Sequence, residues 1–536
     1  MKLFDRIPAC FFLLWMVSCT SFLEEDPKGQ LSGNLSFTNK NDLESSIHAL
    51  YKNVRNLTNG ANCYAPAWAG DDLTANNNSD RQKWREFDQW NVSDNNGSMT
   101  GSETGSWVLL WKMVKAANYI INGVRHTPDV TEEQITFALG QAYYWRAYSY
   151  FYLVRNWGSV PKILEGEVDY TRELCPVEEI FDRIVSDLLE AEKLPVQYTT
   201  APWAVNGRNV VVSKGAAQAT LAYVYLTMAG WPLDKGAAYY TLAAGKAKEV
   251  IDGVEQGTYY YGLYDNYKDI HSKRYNYDNR EVILAVYYSP NWQGDNGQAA
   301  RGGINDAPND PGTGGWAQGI GEIKFWKTFP EGPRKEATYY PKIRLDNEGT
   351  MVDWWDERRM VILPFFLKSG YTSNEEEYDY TKNYNDQSNG WNDQAHHIIR
   401  LSELYCWYAE AVGRSGQTTP LAIELLNKVR NRAEGREVNL YPAPLSPTEL
   451  AEAAYNEHGW EIAGWYWGSL ATRFYDQQRM NRVKDHFEFR KENPLIEVSP
   501  GIFRQEIVRV SGTWDERKMY APIPGSDVLL NPNLRK

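Results

Sequence analysis

The chain has 536 residues, of which 43% are hydrophobic and 23% charged, and its formal net charge is −13. That balance belongs to a folded chain with an ample core and excludes a disordered one. The acidic excess excludes a nucleic-acid binder, whose affinity rests on Lys and Arg neutralising phosphates, and electrostatic adhesion to anionic lipid for the same reason.

Residues 1–18 read as an export signal. Lys2 and Arg6 form a basic start, and Ala9 to Val17 an apolar run shorter than the ~20 residues a membrane-spanning helix needs. No later segment reaches ~18 consecutive apolar residues, so no spanning helix is expected elsewhere. Residues 19–40 are polar and turn-rich, as in a tether. Asn41 to Leu57 is expected to be helical, with Leu43, Ile47, Leu50 and Val54 on one face. Gly60 to Ser106 has no period and is rich in Asn, Asp, Gly and Trp, so it reads as a long loop. A loop of that length inside a compact body is usually functional.

Helices are then expected in pairs. Trp107–Val124 is followed by Thr131–Gly158, with Thr131 and Gln134 placed for a capping box. Pro176–Leu194 starts on proline with acid in its first turn, as the helix dipole favours. Ser213–Gly230 and Ala237–Gly253 make another pair, with Ala216, Ala219 and Ala222 allowing close approach. Between Val254 and Ala395 the pattern breaks into Gly/Asn/Trp loop around two strand-like runs, Glu281–Ser289 and Met360–Lys368. Helices resume at Ile399–Gly416 and Pro420–Gly435. The expected fold is therefore mainly α. Tetratricopeptide-like helix pairs form a scaffold over about 41–253 and 399–435. Irregular loop and short-strand inserts occupy about 60–106 and 254–398, and 436–536 forms a C-terminal region. Inserts on a repeat scaffold tend to carry the binding face.

The five cysteines make neither a disulfide framework nor a metal pattern, and Cys406 sits among apolar residues as a core thiol would. No His-Glu-x-x-His, Gly-x-Ser-x-Gly, P-loop or EF-hand pattern occurs. Asp71–Asp80 and Asn305–Asp310 offer oxygen atoms that Ca²⁺ accepts, but polar turns explain the same composition, and no cofactor is expected.

Seven stretches, taken in order, carry a resemblance. They are SCTSFLEEDP at the start, Gln141–Ile163, Ser186–Pro195, Gly207–Gly230, DERR at 356–359, Ile399–Ala433, and MYAPIPGSDVLLNPNLRK at the end. Together they resemble the SusD/RagB family of outer-membrane nutrient-binding lipoproteins. Met16-Val17-Ser18-Cys19 resembles a bacterial lipobox, which implies a signal removed after residue 18 and acylation of Cys19. Asn456–Asp476 departs from the family pattern: Glu457 and Glu461 are kept, but "AGWYWG" replaces the later Glu and Arg.

The resemblance implies a single helical domain over 41–536, lipid-anchored on the outer face of the outer membrane of a Gram-negative bacterium. It implies a SusC-like TonB-dependent barrel as partner, capture of oligosaccharide, and no catalysis. A peptide-binding member of the same family is the alternative, with a surface glycoside hydrolase behind it. The acidic run Glu24, Glu25, Asp26 resembles the surface-export signal of such lipoproteins.

Sugar binding needs flat apolar rings for C–H faces and convergent polar groups for hydroxyls. With 21 Trp and 36 Tyr against 17 Phe, the chain is rich in rings that carry a polar handle. The two inserts supply the candidates for the ligand face: Asp72, Arg81, Trp84 and Trp90 from the first, Trp292 and Trp316 from the second. Trp354, Trp355, Trp407 and Trp465 lie beside apolar runs or the scaffold and read as core.

Overall fold

The structure, a computed structural model, describes residues 37–58, 61–78, 81–101, 104–164, 169–288, 300–301, 308–311, 315, 317, 319–367, 379, 381, 391–392, 395–464 and 469–536. It is dominated by helices, with sixteen α-helices and five two-stranded sheets among the described residues.

Lys40–Thr58 is helical because Leu43, Ile47, Leu50, Val54 and Leu57 recur at helical spacing, and all five are buried. It leads into Ser106–Gly123 and Glu132–Trp157, which pack against each other. Glu132–Trp157 opens on the reciprocal Thr131/Gln134 capping box expected for it. From Ala138 onward it is buried almost all round, as a helix at the centre of a body must be. The polar groups it takes inside are paired. Arg146 donates to both oxygens of Asp187 at 2.7 Å and to Asn118 at 2.8 Å.

Each next helix packs on the one before. Glu132–Trp157 contacts Val177–Ala191, which contacts Lys214–Ala229, which contacts Ala237–Glu255, which contacts Leu401–Arg414. Ala216, Ala219 and Ala222 are fully or almost fully buried in this stack, so small residues do set the approach. The scaffold extends beyond the expected limit at 435. Pro447–Ile462, with a Ser446/Glu449 capping box and proline at its first position, packs on Leu401–Arg414 as closely as the earlier pairs.

The two strand-like runs fare differently. Val282–Val286 pairs antiparallel with His396–Arg400, a strand that runs directly into Leu401–Arg414. In the 360–368 run the described residues, 360–367, form single bridges, at Phe365 to Ile320 and Phe366 to Tyr339. Nor is 60–106 all loop: it holds the 3₁₀ segment Ala61–Ala69 and the helices Gln82–Asp88 and Gly97–Thr100.

A network of buried ions ties these parts together. Glu461 accepts from Arg400 at 2.8 Å, from Arg334 at 3.0 Å and from Arg432. Arg432 also reaches both oxygens of Glu281, at 3.0 and 2.9 Å, and Arg334 reaches Glu457 at 2.7 Å. Burial opposes ionisation of Glu461, but the guanidiniums of Arg432, Arg400 and Arg334 prevail and hold its carboxyl well below the usual range. Both glutamates kept in the divergent 456–476 stretch are thus buried ligands of arginine.

Candidate functional site

The first insert is strapped to the second. Residues 71–77 run as a strip whose polar groups find partners far along the chain. Asp72 accepts the Gly464 N–H on Oδ2 at 2.6 Å, and its carbonyl accepts the Glu322 N–H at 3.0 Å. Leu73 bridges to Gly321, Thr74 N–H donates to the Ile320 carbonyl at 3.1 Å, and Asn76 Nδ2 donates to the Ala317 carbonyl at 3.4 Å. Asn77 Nδ2 reaches the Ile507 carbonyl at 3.3 Å. Asp88 turns the strip back by accepting from Thr74 Oγ1 at 2.8 Å and the Ala75 N–H at 2.9 Å.

Arg490 closes the junction. Its Nη1 lies 2.7 Å from Asp88 Oδ1 and 2.8 Å from Glu322 Oε1. One guanidinium therefore joins the first insert, the second insert and the C-terminal region. All three side chains are buried. His486, also buried beside Glu322, is pushed down to about 3, by burial first and then by Arg490.

The candidate residues of the first insert are largely buried. Trp84 is 4% exposed and stacks on Trp68, with centroids 5.2 Å apart and planes 10° from parallel. Arg81, half-buried, places its guanidinium 5.2 Å from the Trp84 ring, and the Lys83 ammonium lies 4.9 Å from it. Asp72 is 2% exposed and occupied with backbone. Trp90 is 4% exposed, with φ +55°, and packs edge-on against Phe487 at 5.8 Å and tilted on Trp514 at 5.9 Å. It borders an apolar cavity of about 70 Å³, below the ~300 Å³ at which small-molecule pockets begin. The physical reason is shared: a short insert without its own core lowers its free energy by burying its largest rings. Cys19, Trp292, Trp316 and Trp465 lie outside the described residues.

The second insert builds a small core of its own. Ile320, Ile323, Tyr340, Ile343, Trp354, Leu363, Phe365 and Val498 form it, with Trp326, Trp355, Ile502 and Ile507 packed on its edge. Trp326, Trp354 and Trp355 meet edge to face, with centroids 5.1–5.7 Å apart. Trp354 and Trp407 are core, as expected; Trp355 is half-buried, which its neighbours in the sequence did not signal. Covering this core is the hairpin Ile496–Ser499 with Ile502–Arg504. Nothing in GIFRQE, residues 501–506, marks it in the sequence as part of a surface.

Among the described residues no group of three or more His, Cys, Asp or Glu is placed to hold a metal ion, and no helix is long and apolar enough to cross a membrane. Cys406 is fully buried, and burial first among causes raises its thiol well above the ordinary value.

Comparison with known proteins bears on the whole chain. Residues 21–226 match a family model described as SusD-like, "Starch-binding associating with outer membrane", and residues 264–536 match that of the SusD family. A SusD-like protein of Bacteroides ovatus is 24% identical, over 98% of this chain and 95% of its own. SusD-like protein P2 of Formosa agariphila is 23% identical, over 99% of this chain and 98% of its own. Among solved structures, a laminarin-binding SusD-like protein superposes with a TM-score of 0.68 at 22% identity, over 92% of this chain and 98% of that one. Surface glycan-binding protein A from Bacteroides thetaiotaomicron, in complex with laminarihexaose, gives 0.68 at 17% identity, over 93% and 99%. One family model covers slightly more than half of the residues and a related one most of the rest, and the chain belongs to the SusD family.

Proposed function

We propose that this protein is a cell-surface lipoprotein that binds oligosaccharide and passes it, unchanged, to a SusC-like TonB-dependent barrel in the outer membrane. The observation that carries the reading is membership of a family whose solved members include complexes with laminarihexaose and a xylogluco-oligosaccharide. The fold adds a physical reason: the two inserts are joined to each other and to the C-terminal region at Arg490. In this reading Trp292, Trp316 and Arg81 contact the sugar. Trp84 supports Arg81 from below, and Asp72 and Trp90 hold the first insert in place. Cys19 carries the lipid, and the protein needs no cofactor.

The test is a panel of neutral and acidic oligosaccharides and of peptides against the purified chain, by calorimetry and affinity electrophoresis, with reducing ends assayed in parallel. Binding of a glycan without release of reducing ends is expected. A peptide as the sole ligand, or turnover of a bound glycan, overturns the reading. Co-purification of a barrel with the chain tests the partner, and loss of membrane association in Cys19→Ala tests the anchor.

A further inference from the structure

We infer a second carbohydrate subsite, specific for a neutral sugar, on the C-terminal hairpin beside Trp355. The inference rests on the glycan-binding reading above but uses none of its contact residues. An open depression of about 480 Å³ lies between the loop around Trp355 and the hairpin strand Ile502–Arg504, within the ~300–1,000 Å³ range of small-molecule sites. Asp353, Trp355, Asp356, Glu357, Phe503 and Arg504 line it.

Two rings line this depression, one exposed and one braced. Phe503 is 48% exposed, although it sits in a strand whose neighbour Ile502 packs on the small core. The pairing register slips between Ile502 and Phe503, and such an irregularity re-aims a side chain. Trp355 is half-buried and braced by Trp326 and Trp354 at 5.7 and 5.3 Å, which sets its plane. Arg504 ties the two backbone segments together. Its guanidinium donates to the Trp355 carbonyl at 2.6 and 3.2 Å and to the Phe503 carbonyl at 2.8 Å. A flat ring held in place before binding, as Trp355 is, suits the C–H face of a pyranose, because little ordering remains to be done.

The polar groups select the charge of the ligand. Asp353 pairs with Lys342 at 2.6 Å, Asp356 with Arg358 at 2.8 Å, and Glu357 with Arg504 at 3.5 Å. Each carboxylate keeps lone pairs for sugar hydroxyls. A cationic ligand would have to displace a partner already present. Lys342 and Arg358 do not line the depression, so the lining itself offers an anionic sugar three carboxylates and one guanidinium. A neutral sugar meets neither obstacle.

The experiment is calorimetry with neutral malto-, laminari-, xylo- and xylogluco-oligosaccharides and with oligogalacturonate as the acidic probe. Phe503→Ala is expected to weaken binding of the neutral ligand about five- to ten-fold, the scale of one aromatic contact, with the thermal midpoint unchanged because the ring is exposed. Trp355→Phe, which keeps the packing on Trp326, is expected to weaken binding in the same direction. In a Trp292→Ala/Trp316→Ala background, residual binding is expected that Phe503→Ala removes. Full affinity in both Phe503→Ala and Trp355→Phe, with binding lost in the double variant, sinks the subsite and leaves the glycan function standing. A preference for oligogalacturonate overturns the neutral class. A wild-type chain that binds no glycan at all overturns both readings together.

Discussion

Arg473 grips Asp71 through two parallel hydrogen bonds, Nε to Oδ1 at 2.9 Å and Nη2 to Oδ2 at 2.8 Å. The helix Arg473–Arg479 thereby holds the start of the strip that fastens the first insert to the second. Arg473→Ala leaves a largely buried carboxylate without its fork. The expected loss is about 3 kcal/mol, the low end for a broken buried pair, because Asp71 keeps some contact with water. Arg473→Lys recovers only part of it, since an ammonium restores charge but not the paired geometry. Urea denaturation of the two variants checks this; equal midpoints for Arg473→Ala and wild type would refute the role.

Trp84 should separate support from contact. Stacked on Trp68 and almost without exposure, it contributes chiefly packing. Trp84→Ala is expected to cost about 3–5 kcal/mol of stability, as for other buried Trp truncations. Trp84→Phe keeps a ring in the stack and is expected to retain glycan affinity within about two-fold, well short of one aromatic contact. Loss of affinity in Trp84→Phe with an unchanged thermal midpoint would make Trp84 a contact residue instead.

What the sequence revealed divides along the range of the interactions. The helix Glu132–Trp157 was legible because its cap, Thr131 with Gln134, and its termination at Gly158 are local signals. The strip 71–77 was not, because Thr74, Asn76 and Asn77 bond to residues 320, 317 and 507, and no spacing within ten residues records that. Gln82–Asp88 is too short for a period to show, and its helix is held by burial of Trp84 and Phe87 against distant partners. The same limit applies to Trp355. Two adjacent tryptophans look alike in sequence, and only the tertiary packing decides that Trp354 is covered while Trp355 is half-buried.

Glu461 should be the least tolerant position of the scaffold. It is fully buried among Arg334, Arg400 and Arg432. Glu461→Gln removes the charge that three guanidiniums share and leaves them to repel one another around Glu281 and Glu457. The expected cost is about 3–5 kcal/mol, measured by denaturant unfolding. By contrast Glu357→Gln, at a side chain 84% exposed, is expected to change stability by under about 0.5 kcal/mol. A Glu461→Gln protein as stable as wild type would show that the network is not a structural hub.

Glu506 gives the fold a pH dependence whose sign is opposite to that of an ordinary salt-bridged acid. Its Oε1 accepts the Ile323 N–H at 2.6 Å, while Oε2 is buried without a hydrogen-bond partner among the described residues. Burial pushes its carboxyl up to about 7, against the pull of Arg490 and the Ile323 amide, and the Asp88 charge adds to the rise. In the unfolded chain the group titrates near ~4.3. Between those values the unfolded state releases a proton that the folded state keeps. The contribution of Glu506 is therefore most favourable below about pH 4, falls as pH rises, and levels off above about 7. Glu506→Gln keeps an oxygen for Ile323 and cannot ionise. The difference in stability, variant minus wild type, is expected to climb with pH to a plateau of roughly 3 kcal/mol near pH 8. Melting both proteins from pH 5 to 8 in one buffer series checks this. A difference that stays flat across the series, or falls, would place an ionised Glu506 in the folded state and remove the proton from the junction where Arg490 joins the two inserts.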